Sequence, residues 1–263
     1  GEALYHACEF ADPTCARLLI DAGTDPEVVS YCLGRALNFP HPEMVEMFCE
    51  HGARPRAAHL HQALWRRRPP RTIAALLDAG APVNEPDEHG LTPLQIARLW
   101  EDEAAAAVLL DRGADAAQRR DASATTALLD EMVILAVQQG DLGTVRRLLD
   151  AGARVNGNPD AEDHPLGQAC WRGQVAIVAE LLARGAETDF RDGGSAVGAT
   201  LHGARHCHHP EGGPTMRPRD EIPSQPYAQI ARMLIGAGAR VPERVGGEHG
   251  PRALSVLAEL ESS

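Results

Sequence analysis

Apolar residues recur along the chain in a short phrase: paired leucines, two or three mixed positions, then a glycine, usually followed by alanine. It runs from Leu18 to Gly23, Leu76 to Ala81, Leu109 to Ala114, Leu148 to Ala153 and Leu181 to Ala186, with degenerate copies ending at Gly52 and Gly238. The marker glycines stand at 23, 52, 80, 113, 152, 185 and 238, spaced by 29, 28, 33, 39, 33 and 53 residues. The apolar positions before each marker fall at helical spacing, as in Val145, Leu148, Leu149 and in Val178, Leu181, Leu182. Each phrase therefore predicts a short helix. The glycine predicts its end, because it tolerates the left-handed backbone that closes a helix.

A second helix is predicted upstream of each phrase. The fullest example is Gly90-Leu91-Thr92-Pro93-Leu94-Gln95-Ile96-Ala97. Thr92 suits an N-cap and Pro93 the first helical position. Leu94 and Ala97, three apart, share a face. One helix pair cannot bury its own apolar side, so copies must stack. The departures from regularity are specific. Arg68-Pro69-Pro70 adds one residue between the helices of copy three. Asp121 to Asp130 prefixes copy five with an extra helical turn. Copy seven keeps Thr200-Leu201-His202-Gly203-Ala204, then runs irregularly over about 206–226. Residues 251–260 predict a terminal capping helix.

The Thr92-Pro93-Leu94-Gln95 opening, the Gly113-Ala114-Asp115 close and the period near 33 resemble the ankyrin repeat, in a divergent, bacterial-type form. The resemblance covers about Glu2 to Arg240. It implies an all-α fold: one ankyrin-repeat solenoid domain, 1–263, of about seven helix-turn-helix repeats plus the C-terminal cap. It also implies that first helices and loops form a concave surface that binds protein or peptide without catalysis.

In such repeats the groove-facing positions come two and three residues after the repeat's alanine. Here they are Glu9-Phe10, Asn38-Phe39, Trp65-Arg66, Leu99-Trp100, Gln138-Gln139, Trp171-Arg172 and His206-Cys207. These fourteen positions hold all three tryptophans and two of four phenylalanines. Aromatic rings beside arginines are the composition of a binding hot spot. The expected groove is Phe10, Phe39, Trp65, Arg66, Trp100, Gln138, Gln139, Trp171, Arg172 and His206. The competing reading is that neighbouring first helices stack these rings on one another as packing.

Composition narrows the chemistry. The net charge of −12 argues against a general nucleic-acid binder. All 25 basic residues are arginine, so no lysine Schiff base or phosphate-loop lysine exists. Six cysteines without a C-x-x-C pair suggest reduced thiols and a cytoplasmic setting. No apolar run is long enough for a membrane helix. No cofactor is expected, and a monomer is.

His202, His206, Cys207 and His208 are the one cluster of metal-ligand types, with a thiol that also offers a nucleophile, but their spacing fits no zinc pattern. Arg66-Arg67-Arg68 with Arg71 is the one basic patch, suited to a phosphate or an acidic peptide. Two functions compete. One is a protein-interaction module using the aromatic and arginine groove. The alternative is an enzyme, small-ligand or metal protein using the insertion of copy seven.

Overall fold

The computed structural model describes residues 1–117, 125–190, 194–207, 225–240 and 251–261. It is helical throughout, with one isolated β-bridge, Asp189 to Ser195, among the described residues. The chain packs as two compact units, Gly1–Ser123 and Ala124–Ser263.

Unit 1 holds four helix pairs: α1 (Glu2–Ala7) with α2 (Thr14–Asp21), α3 (Pro26–Ala36) with α4 (Pro42–Glu50), α5 (Ala57–Trp65) with α6 (Pro70–Asp78), and α7 (Pro93–Leu99) with α8 (Glu103–Asp111). First helices pack in series, α1 on α3 on α5 on α7, and α4, α6 and α8 form the second layer. Unit 2 repeats the plan with α9 (Thr126–Gln139) and α10 (Leu142–Asp150), α11 (Pro165–Trp171) and α12 (Val175–Ala183), then α13 (Ala196–His206) and α14 (Gln225–Gly236). The helix α15 (Pro251–Glu261) covers α13 and α14 through Ala253, Val256 and Leu260, where the cap is predicted. No helix among the described residues is long and apolar enough to cross a membrane.

All seven marker glycines have positive φ, from 82° to 104°. In six copies the next residue's N–H reaches back to close the helix: Ala53 to Phe48 O, Ala81 to Leu76 O, Ala114 to Leu109 O, Ala153 to Leu148 O, Ala186 to Leu181 O and Ala239 to Leu234 O, all at 2.9–3.1 Å. In copy one the Thr24 hydroxyl does this work, donating to Leu19 O at 2.6 Å. Thr92 caps α7 in a reciprocal box with Gln95, and Pro93 starts the helix.

The turn after the first helix has its own rule. The carbonyls of Ala63, Ala97, Ala136 and Ala169 accept from Arg68, Asp102, Asp141 and Gln174. The residue before each donor is left-handed: Arg67, Glu101, Gly140 and Gly173. Copy three has the extra inter-helix residue expected near Pro69, with four residues separating α5 from α6 against three between α7 and α8. Copy five has its longer first helix, α9, of 14 residues.

Copy seven departs from its expected register. Ser195, not Thr200, caps α13, its hydroxyl accepting from Gly198 N at 3.1 Å. The Thr200 hydroxyl donates to Ala196 O, as a mid-helix threonine does. Thr200 therefore stands where copies four and six have their repeat alanine, at the fifth residue of the helix. The matching pair is His202-Gly203, of which only His202 is exposed, and His206-Cys207 lies a turn further on. The insertion over 208–224, including His208 and His209, lies outside the described residues.

Candidate functional site

The predicted positions fall where each first helix ends and its turn begins. Trp65 and Trp171 are the last residues of α5 and α11, and Arg66 and Arg172 are their C-caps. The structure distributes them unequally between surface and interior.

In unit 1, Phe10 is 57% exposed, whereas Phe39 and Trp100 are only 7% and 3% exposed. The latter two are packing residues, which corrects their place among the expected surface anchors. Phe39 lies under Arg35, 5.1 Å from its ring centroid, and stacks on His41 at 6.3 Å. Trp100 meets Trp65 edge to face at 6.2 Å and lies under Arg67 at 5.7 Å. Trp65 remains half-buried and well fixed. Its indole N–H donates to Asp87 Oδ2 at 2.9 Å, and its ring meets His89 at 5.8 Å. The rings thus join successive repeats, while Trp65 and Arg66 stay partly exposed.

The α1 and α3 ends are joined by Glu9, which accepts from Arg35 Nη2 at 2.6 Å and pairs with His6 at 3.2 Å. Burial raises the Glu9 pKa, but the Arg35 and His6 hydrogen bonds and charges outweigh it and leave the carboxyl below its ordinary value.

In unit 2, Trp171 is half-buried with the Arg172 guanidinium 5.2 Å over its ring. It borders a cleft of about 330 Å³ with Gln168, His164, Phe190, Ser195 and His202. A second cleft, about 350 Å³, lies beyond the His164–Phe190 stack, whose centroids are 4.3 Å apart. Arg154, Asn156, Pro159, Pro165 and Glu187 line it. Phe190 and His164 border both clefts, and sequence reasoning missed them. Their positions relative to Gly185 were legible, but not that the loop folds one ring onto the other. Gln138 and Gln139 are half-buried at the end of α9.

Of the proposed metal ligands, His202 and His206 lie on the exposed face of α13 with ring centroids 4.7 Å apart and planes tilted by 43°, and Cys207 is fully buried. Among the described residues no three His, Cys, Asp or Glu side chains gather closely enough to hold a metal ion. His208 lies outside those residues. The expected basic patch is divided. Arg71 pairs with Glu43 and Glu46 on the exposed second layer, away from the groove positions Arg66 to Arg68.

The thiols are protected by burial. It pushes Cys170 up to about 12 against a lowering hydrogen bond with Thr200. Burial and then the neighbouring Cys32 push Cys8 to about 12, and burial followed by Glu50 and Glu46 pushes Cys49 to about 11. Only Cys15 is exposed. Alkylation of the native chain near pH 8 should therefore modify Cys15 first, with the other thiols following only on unfolding. Mass mapping that finds Cys207 or Cys170 modified as fast as Cys15 would contradict this burial.

Helix pairs closed by left-handed glycines, a Thr-Pro cap opening the first helix, alanines carrying the inter-helix turn and a period near 33 together define the repeat. In this the chain resembles the ankyrin repeat. No protein-family model matches the chain, and no curated protein sequence is similar to it. Two solved ankyrin repeat domains are similar in structure. That of Bcl-3, described as a unique member of the IkappaB protein family, is 25% identical, with 75% of this chain and 92% of that one covered and a TM-score of 0.40. That of human ASB11 is 21% identical, with 97% and 96% covered and a TM-score of 0.40. The resemblance rests on the repeat geometry of the chain itself.

Proposed function

We propose that this ankyrin-repeat chain is a protein-interaction module, binding a protein or peptide non-covalently at the ends of its first helices. The observation that carries the reading is the repeated pairing of a half-buried tryptophan with an adjacent arginine, Trp65-Arg66 in unit 1 and Trp171-Arg172 in unit 2. Held by their own repeats, these rings lose little freedom on binding, which favours them as anchors. In unit 2 the clefts beside Trp171 offer slots for apolar side chains, and Arg172 offers forked hydrogen bonds.

The test is capture of a partner from the native lysate by wild type and by a Trp171→Ala/Arg172→Ala chain with matched melting temperature. Wild type should retain a partner that the variant releases, with affinity reduced by about tenfold or more, as for a hot-spot residue. Equal retention by both chains, or capture by neither, would overturn the reading.

A further inference from the structure

The chain has more carboxylates than arginines, 37 against 25, so acidic partners are in excess. Several guanidiniums take them: Arg71 holds Glu43 and Glu46, Arg112 holds Asp78 and Asp111, and Arg184 holds Asp150 and Glu180. These are surface arrangements. Arg66 and Arg68 are the reverse: both are half-buried, and neither has a carboxylate within ion-pair distance among the described residues. Arg68 Nη2 donates to Arg66 O at 2.9 Å, and its buried Nε–H meets no acceptor.

The turn holds them together. Arg66 caps α5, Arg67 takes φ 51°, and Arg68 N closes on Ala63 O at 2.8 Å. From the preceding repeat comes Arg35, one nitrogen on Glu9 and its face on Phe39. Beside it, Gln62 donates to Gly34 O and Asn38 Oδ1, both at 3.0 Å. Burial, then repulsion from Arg66, pushes Arg68 down to about 10. Burial, then Arg35, lowers Arg66. The guanidiniums remain charged at neutral pH, crowded and partly stripped of water, in a protein whose net charge is negative. An arrangement of that kind is relieved by an incoming anion.

We infer that Arg66 and Arg68, with Arg35 at the edge, form an oxyanion site for the phosphomonoester of a phosphorylated partner peptide. The inference rests on the interaction reading above and specifies the partner's chemistry. Charge decides for phosphate over a single carboxylate. Two unpaired guanidiniums carry two positive charges, and a phosphomonoester carries about −1.5 to −2 at neutral pH. Its three oxygens also accept from forked donors on more than one side. A lone carboxylate leaves one positive charge uncompensated.

The test uses the full chain, titrated calorimetrically with inorganic phosphate, phenyl phosphate and acetate. Phosphate and phenyl phosphate should bind saturably, one per chain, and acetate far more weakly. Arg66→Gln and Arg68→Gln should each weaken phosphate binding by about tenfold or more, as loss of a charged hydrogen-bond donor does. Arg71→Gln, already neutralised by its glutamates, should bind as wild type. Both site variants should melt at or above the wild-type temperature, because each removes a repelling charge. No saturable phosphate binding, acetate binding as tightly, or unchanged binding by the two site variants would overturn the site. So would variants that lose binding only by unfolding.

Phosphatase treatment separates this inference from the interaction reading. A captured partner released by dephosphorylation supports the site. A partner that stays bound sinks the phosphate inference and leaves the interaction reading standing. Arginine-dependent phosphate binding without any captured protein does the opposite.

Discussion

Replacing Gly203 with alanine should destabilise unit 2 by about 3 kcal/mol or more, beyond the usual range for adding one methyl to a packed core. A Cβ at that position would lie 2.6 Å from the Trp171 carbonyl carbon and 2.7 Å from its Cα, and would overlap the Trp171 carbonyl oxygen. These are backbone atoms of α11, and no side chain can rotate to make room. The same carbonyl accepts from the Tyr227 hydroxyl at 3.2 Å, so displacing α11 also disturbs α14. Thermal unfolding should show a drop of about 10 °C or more for a unit of this size. Gly236→Ala supplies the control: a Cβ there meets nothing within 4 Å, and the substitution should be neutral or stabilising by up to about 1 kcal/mol. If Gly203→Ala melts within a degree or two of wild type, the close approach of α13 to α11 is incorrect. Because Trp171 belongs to the proposed surface, this variant also tests whether the anchor depends on helix packing.

The second large effect is expected at Asp130. This carboxylate is 1% exposed and accepts from Arg154 N and Nε, both at 2.7 Å, with Nη2 at 2.6 Å. It ties the first helix of copy five to the loop that opens copy six and lines the cleft of about 350 Å³. Asp130→Ala should cost about 2–3 kcal/mol, the scale of hydrogen bonds to a charged group. The cost stays below that of breaking a fully buried pair, because the Arg154 side chain is 42% exposed and can rehydrate. Asp130→Asn keeps an acceptor for the backbone N–H and should lose about half as much. Chemical denaturation of the three chains checks the order. Equal stability of wild type and Asp130→Ala would remove this carboxylate as the anchor of the loop.

Much of the architecture was legible because its causes are local. A left-handed backbone after a short helix needs glycine, so Gly80 or Gly152 marks an end without reference to any neighbour. Thr92-Pro93 carries its cap within four residues. The extra residue near Pro69 and the longer first helix of copy five are matters of chain length. Even the positions at the first-helix ends were found by counting from an alanine, because in four copies that alanine's carbonyl closes the next turn.

Copy seven shows where counting fails. Thr200 looks like a cap, but its hydroxyl has a helical carbonyl available, whereas Ser195 has the free N–H of Gly198. Which hydroxyl caps the helix depends on where the preceding loop delivers the chain. That loop is set by Asp189 bridging Ser195. His206 was consequently placed a turn beyond its counterpart.

The sequence by itself determined the repeat, the helix pairs, their punctuation and the family of positions at the helix ends. Only the tertiary structure decided which of those side chains face outward. Trp65 and Trp100 occupy adjacent positions in the repeat motif, yet Trp100 is covered by Trp65 and Arg67, while Trp65 is only half-buried. Arg71 and Arg68 are three residues apart, yet among the described residues one reaches two glutamates and the other none. Burial and charge pairing are properties of neighbours brought together from about 25 residues away. Stacking alone fixes who those neighbours are.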